Sequence, residues 1–301
     1  MIRGNVLEAV GGTPVVRLNA MAVGLPSEVL VKLEFMNPSG SIKDRTAVAM
    51  IEEAEASGKL AKGGTIVEPT SGNTGIGIAM AAAAKGYKAV LFMPEGLSAE
   101  RLTLMSAFGA ETRLTPGEGG MALAVETAEA YAEEVGGVVL GQFDNPANPD
   151  VHRRTTAREI LEDVPDVDYV VAGVGTGGTA TGIAMGLRDL GSDAEVIGVE
   201  PAESPVISGG KPGPHGIEGI GANFVPANFD PEYVRRIVAV PTHLARETAV
   251  RLAREEGIFA GVSSGAAVAA AVRVASGERG KRIIAILPDG GGRYVSGGLY
   301  E

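Results

Sequence analysis

The sequence contains no cysteine and no tryptophan. Without a thiol there is no disulfide, no thiolate nucleophile and no sulfur-ligated zinc or iron–sulfur centre. Histidine is scarce: His152, His215 and His243 lie far apart, with no H-x-x-x-H spacing, so no dedicated metal site is expected. Long apolar runs are missing as well. The longest, Ile76–Ala84, is about half the ~20 residues that a membrane span requires. The opening stretch MIRGNVLEAVGGTP lacks the apolar core of a signal peptide. A cytoplasmic protein is the expectation. Positive charge is in short supply: the net charge is −11, and no segment concentrates Lys and Arg with aromatics. Nucleic acid and anionic membrane are therefore not expected as partners.

What the chain does have is glycine and a strand–helix rhythm. Its 44 glycines are about twice the usual ~7% share, which points to tight turns and close backbone approach to a ligand. Apolar residues at 45% supply a large core, and 301 residues are enough for two domains. Strands are predicted at Val29–Phe35, Thr65–Glu68, Ala89–Met93, Val138–Gln142, Asp168–Val174, Glu195–Glu200 and Arg282–Leu287. Helices are predicted at Asp44–Ser57, Asn73–Lys85, Ala99–Phe108, Met121–Val135, Gly177–Leu190, His243–Glu256 and Ala266–Ser276. Such alternation indicates βαβ units, parallel sheets and an α/β fold class. Ile207–Phe229 is rich in Gly and Pro and lacks periodicity, as a functional loop does. Thr74-Gly-Ile-Gly-Ile-Ala-Met80 is echoed by Thr181-Gly-Ile-Ala-Met185.

Four segments carry candidate chemistry. Ala172-Gly-Val-Gly-Thr-Gly-Gly-Thr179 follows a strand and opens a helix, which makes it an anion cradle built of free N–H groups and the helix dipole. Gly173, Gly175 and Gly178 also fit G-x-G-x-x-G, with Glu200 placed as a ribose-binding acid. Alone, this segment does not separate a dinucleotide from a phosphate ester. Glu68-Pro-Thr-Ser-Gly-Asn-Thr-Gly75 offers hydroxyls, an amide and backbone donors suited to a carboxylate or a phosphate. Helix capping by Asn73 or Ser71 is its structural alternative. Asn37-Pro-Ser-Gly-Ser-Ile-Lys-Asp-Arg45 puts Lys43 at a helix start. A depressed pKa there would suit Schiff-base chemistry, but taken alone a solvated lysine with capping by Ser41 explains the turn adequately and is the stronger reading. Gly261-Val-Ser-Ser-Gly265 fits the G-x-S-x-G elbow of α/β-hydrolases, but that fold places its His after the Ser, and no His follows Ser263.

Taken together and in order, these segments resemble the cysteine synthase (O-acetylserine sulfhydrylase) family of fold-type II pyridoxal-phosphate enzymes. The resemblance runs over nearly the whole chain. It includes Gln-Phe-x-Asn-Pro-Ala-Asn-Pro at 142–149, Gly-Pro-His at 213–215, Gly-Ile-Gly-Ala at 219–222 and Gly-Val-Ser-Ser-Gly-Ala-Ala at 261–267. It implies two three-layer α/β/α domains with mostly parallel sheets. Residues 1–11 and 36–143 would form a smaller, mobile domain, and residues 12–35 and 144–301 a larger one. An early strand near Val15–Val31 would cross into the larger domain, and the cofactor would sit in the cleft.

The cofactor implied is pyridoxal 5'-phosphate. Lys43 would form the Schiff base and move protons. Asn73 would bond the phenolic oxygen, and Gly175, Thr176, Gly177, Gly178 and Thr179 would hold the phosphate. Ser263 would meet the pyridine nitrogen; a neutral hydroxyl there gives a weaker electron sink, suited to β-elimination. Thr70, Ser71, Gly72, Thr74 and Gln142 would take the substrate carboxylate. The reaction implied is O-acetyl-L-serine plus sulfide giving L-cysteine and acetate, with no metal. Alternatives within the family are cystathionine β-synthase-like chemistry, or other replacement or elimination on serine derivatives with thiosulfate, cyanide or homocysteine. A homodimer, and binding of the C-terminal tail of serine acetyltransferase, are also implied.

Overall fold

The computed structural model describes residues 2–70, 72–96 and 98–301. In chain order the elements are β1 (Val15–Arg17), β2 (Glu28–Leu33), α1 (Lys43–Ala56), β3 (Thr65–Pro69), α2 (Asn73–Lys85), β4 (Lys88–Pro94), α3 (Ala99–Ala107), β5 (Glu111–Thr115), α4 (Gly120–Val135) and β6 (Val138–Val139). They continue with α5 (Ala147–Val151), a π-helical turn (His152–Thr156), α6 (Ala157–Asp163), β7 (Tyr169–Gly173), α7 (Gly178–Asp189), β8 (Glu195–Pro201), β9 (Arg236–Val240), α8 (Thr242–Glu256), α9 (Val262–Gly277) and β10 (Arg282–Leu287). The chain divides into two compact units, residues 1–10 with 37–147 and residues 11–36 with 148–301. No helix among the described residues is long and apolar enough to cross a membrane.

The first unit is built on a parallel sheet of order β5-β4-β3-β6. On one face α4 lays Ala124, Ala128 and Ala132 against Val67, Val90 and Phe92. Small residues at i, i+4 and i+8 form one stripe and let the helix sit close to the sheet. On the other side α2 is buried from Thr74 to Ala82, and its apolar surround is that of a helix covered on all sides. It packs tightly on the start of α1: a Cβ at Gly77 would stand 3.0 Å from the carbonyl oxygen of Lys43.

The second unit carries a sheet of order β1-β2-β10-β7-β8-β9, parallel except for the β1–β2 pair. Central strand β10 buries Ile283, Ile284, Ala285 and Leu287 completely, as a strand covered on both faces does. Helix α9 packs on it with Ala266, Ala267, Ala270 and Ala271. The repeated Thr-Gly-Ile motif falls in α2 of one unit and α7 of the other, each the helix that follows a strand. Its glycines do parallel work. Gly77 admits the start of α1, and Gly182 admits the backbone of Pro149 and the Cβ of His152.

The α/β class with mostly parallel sheets is therefore as expected, and three local expectations change. The strand predicted at Val138–Gln142 stops at Val139, because the next three amides are captured by a side chain described below. Helix α9 starts at Val262, ahead of the predicted Ala266, so Ser263 is helical. Strands β5 and β9 were not anticipated: Glu111-Thr-Arg-Leu-Thr115 is polar and mostly uncovered, and an edge strand of this kind gives little apolar signal.

Candidate active site

In the first unit, β3 ends at Pro69 and delivers Thr70, whose N–H donates to Phe92 O at 2.9 Å. Thr70 Oγ in turn accepts from the N–H of Gly72 at 3.5 Å. Gly72 is the residue before α2, it lacks a side-chain cap, and a Cβ there would meet nothing within 4 Å. Asn73 is the first helical residue, so it is not the cap. Ser71 lies outside the described residues.

Thr74, 3% exposed, donates its hydroxyl to Gln142 Oε1 at 2.5 Å. That bond fixes the amide's acceptor end and turns its NH₂ donor end the other way. Thr70, Gly72, Asn73, Thr74 and Gln142 are therefore one local constellation of hydroxyl, amide and backbone donors. Such a set has the donor chemistry suited to a carboxylate or a phosphate.

Gln142 is positioned by Glu68. This carboxyl, 1% exposed, accepts from the backbone N–H of Leu140 (3.0 Å) and Gly141 (3.1 Å) through Oε2, and from Gln142 (3.3 Å) through Oε1. Burial pushes the Glu68 carboxyl up to about 7, against the pull of the three amides. Asn145 ties the far side of the same turn, donating from Nδ2 to Leu140 O at 2.7 Å.

Lys43 is the first residue of α1, half-buried, with its N–H bonded to Ser41 Oγ at 3.2 Å. The preceding turn is fastened by the buried Asp44, which accepts from both the N–H and the hydroxyl of Ser39. Gly77 stands against the Lys43 carbonyl, so the lysine's backbone is fixed beside α2, one helical turn beyond Asn73.

In the second unit, β7 runs into the turn 174–177 and helix α7. Gly177 adopts φ +83°, a left-handed conformation open to glycine at little cost, and this starts the helix. The first amides of α7 have no intrahelical acceptor and present an anion site. A Cβ at Gly175 would overlap the carbonyl oxygen of Gly219, so the 219–221 loop lies directly on this turn. Gly221 N–H also donates to Val174 O at 3.0 Å. Thr176 Oγ accepts from Asn148 Nδ2 at 3.0 Å, which leaves its own hydrogen to be donated elsewhere. Thr179 Oγ lies 3.3 Å from His152 Nε2. Ser263, 2% exposed, is the second residue of α9, and a Cβ on Gly219 would stand 3.7 Å from its Oγ. Gly175–Thr179, the 219–221 loop and Ser263 are thus one cluster within this unit.

The comparisons with known proteins agree along the whole chain. The model of a family described as "Pyridoxal-phosphate dependent enzyme" matches residues 6–289. The chain belongs to this family. A cysteine synthase of Staphylococcus aureus is 49% identical over 300 residues, covering 99% of this chain and 97% of the relative. A solved cysteine synthase from Entamoeba histolytica superposes with a TM-score of 0.96 at 42% identity, over 100% of this chain and 91% of that one. A solved O-ureido-L-serine synthase gives 0.96 at 44% identity, over 100% and 96%.

The donor chemistry fits the cofactor of this pyridoxal-phosphate family. Gly175–Thr179 is a turn with no room for side chains at 175 and 177, where a Cβ would strike Gly219 and Phe229, and it opens a helix start suited to a phosphate monoester. Lys43 in the first unit carries a primary amine, and Ser263 in the second a neutral buried hydroxyl.

Some contributors had no role in the sequence reading. Glu68 was legible only as part of its motif, since its partners lie 72 to 74 residues away. His215, noted only within Gly-Pro-His, holds the 219–221 loop. Its Nδ1 accepts from Ile217 N–H at 3.3 Å, so its proton is on Nε2, 2.8 Å from Gly221 O. Asp289, 1% exposed, accepts from Tyr294 OH at 2.7 Å, and its main-chain oxygen accepts from Gly261 N–H, just before α9.

Proposed function

We propose that this protein is a pyridoxal-phosphate-dependent cysteine synthase that converts O-acetyl-L-serine and sulfide into L-cysteine and acetate. The observation that carries the reading is the 49% identity to a cysteine synthase over 300 residues. When bound, the cofactor supplies an electron sink that acidifies the Cα–H of an amino acid and releases its β-substituent.

The chain's own residues do the rest. Lys43 would hold the cofactor covalently, and its Nζ would be the base that takes the α-proton. Gly175, Thr176, Gly177, Gly178 and Thr179 bind the phosphate through amides and hydroxyls. Asn73 would orient the ring through its phenolic oxygen. Ser263 would meet the ring nitrogen with a neutral hydroxyl, which cannot hold that nitrogen protonated as a carboxylate would and so suits β-elimination. Thr70, Ser71, Gly72, Thr74 and Gln142 grip the substrate carboxylate. We place the enzyme in the cytoplasm as a homodimer, with the C-terminal tail of serine acetyltransferase as a candidate partner.

The experiment is a visible spectrum of the holoenzyme during sequential addition of O-acetylserine and sulfide, with cysteine assayed at the end. The cofactor band shifts with the first addition and returns with the second, and cysteine forms. Lys43→Ala abolishes covalent attachment, read by mass after borohydride reduction. A band unmoved by O-acetylserine would overturn the substrate assignment. The similarity to an O-ureido-L-serine synthase favours one further comparison, of the nucleophile. Rates with sulfide are set beside those with thiosulfate, cyanide, homocysteine and hydroxyurea, and faster turnover with any of these would replace sulfide in the reading.

A further inference from the structure

Burying a carboxyl group is costly, and it is retained where its hydrogen bonds do something an apolar side chain cannot. Glu68 is such a group. An apolar residue at this point of β3 would leave the amides of residues 140–142 to continue the strand. Glu68 instead gathers them, with Leu140 and Gly141 on Oε2 and Gln142 on Oε1. Strand β6 therefore ends at Val139, Gly141 turns with φ +69°, and Gln142 comes round to accept from Thr74 at 2.5 Å.

We propose that Glu68 is a positioning residue for substrate binding, holding the 140–142 turn so that Gln142, its Oε1 fixed by the Thr74 hydroxyl, presents its NH₂ donor preformed for the substrate carboxylate. The inference rests on the reading that Gln142 grips the substrate carboxylate. The two oxygens of Glu68 are not equivalent in it. Replacing Glu by Gln keeps one acceptor for Leu140 and Gly141 but sets an NH₂ against the N–H of Gln142, donor against donor. Glu68→Gln therefore strikes the anchor of Gln142 itself.

The test compares the holoenzyme with Gln142→Ala, Glu68→Gln and the double variant. It reads the O-acetylserine concentration that half-saturates the shift of the cofactor's visible band, together with kcat. Loss of one hydrogen bond to the charged carboxylate corresponds to about tenfold weaker binding. Gln142→Ala and Glu68→Gln each give that weakening, and the double variant is no weaker than Gln142→Ala alone. The band without substrate is unchanged, and KM moves more than kcat. Glu68→Asp, which keeps the charge but shortens the reach, replaces Glu68→Gln if the latter does not fold, and is read by the same criteria. Normal binding in the Glu68 variant beside weak binding in Gln142→Ala overturns the role of Glu68 alone. Multiplying losses, about a hundredfold in the double variant, overturn it as well. Normal binding in Gln142→Ala overturns the carboxylate reading, and the inference with it.

Discussion

Thr74 donates its hydroxyl hydrogen to Gln142 Oε1 at 2.5 Å, joining the first turn of α2 to a turn 68 residues further along the chain. The bond decides which end of the Gln142 amide faces which way. Thr74→Val keeps the shape and removes the donor, so the amide is free to flip. O-acetylserine binding is expected to weaken about tenfold, the equivalent of about 1.4 kcal/mol. Titration of the cofactor band measures it, and unchanged affinity would show that Thr74 does not hold the Gln142 amide for substrate.

Glu68 gives the fold a pH dependence. Its folded pKa of about 7 stands above the ordinary 4.5. The native state therefore holds more protons than the unfolded state between these values, and stability falls as pH rises. The contribution is fully present below 4.5 and is lost as pH passes about 7, on the order of 3 kcal/mol in all. The melting temperature of the wild type is expected to drop more steeply between pH 5 and pH 8 than that of Glu68→Gln. Parallel pH profiles for the two proteins would contradict this.

Gly175 has no room for a side chain, because a Cβ there overlaps the carbonyl oxygen of Gly219. The obstacle is backbone and cannot rotate away. Gly175→Ala is expected to push the 219–221 loop outward, to lower stability by about 2 kcal/mol, and to retain less cofactor. Thermal melts and the ratio of bound pyridoxal phosphate to protein test it. A variant that melts and loads like the wild type would show that the loop yields freely.

Lys32 is fully buried in β2, with Nζ 2.8 Å from Thr13 O and 2.9 Å from Glu159. Lys32→Met keeps the length and removes the charge, leaving the Thr13 carbonyl and the mostly buried Glu159 without their cation. Breaking a buried pair from one side is expected to cost about 3 kcal/mol. Denaturant unfolding reads this loss, and a variant as stable as the wild type would place the pair among those that contribute nothing net.

Composition and order along the chain determined the chemistry available. Without cysteine, thiolate catalysis was excluded. The alternation of strands and helices set the α/β class, and the glycine-rich turns after β3 and β7 marked candidate anion sites, because a strand–turn–helix junction leaves the first helical amides without intrahelical acceptors. What depended on contacts far apart in sequence was left to the tertiary structure. Val138–Gln142 has the pattern of a strand, and only a carboxylate 72 residues upstream shortens it. His215 and Asp289 give no local signal, since their work is to hold a loop and a helix start that other segments supply. Gly77 and Gly182 show the same limit. Nothing within α2 or α7 indicates that a neighbouring backbone must press against those positions, because local sequence sets an element's type and its neighbours set how closely it is approached.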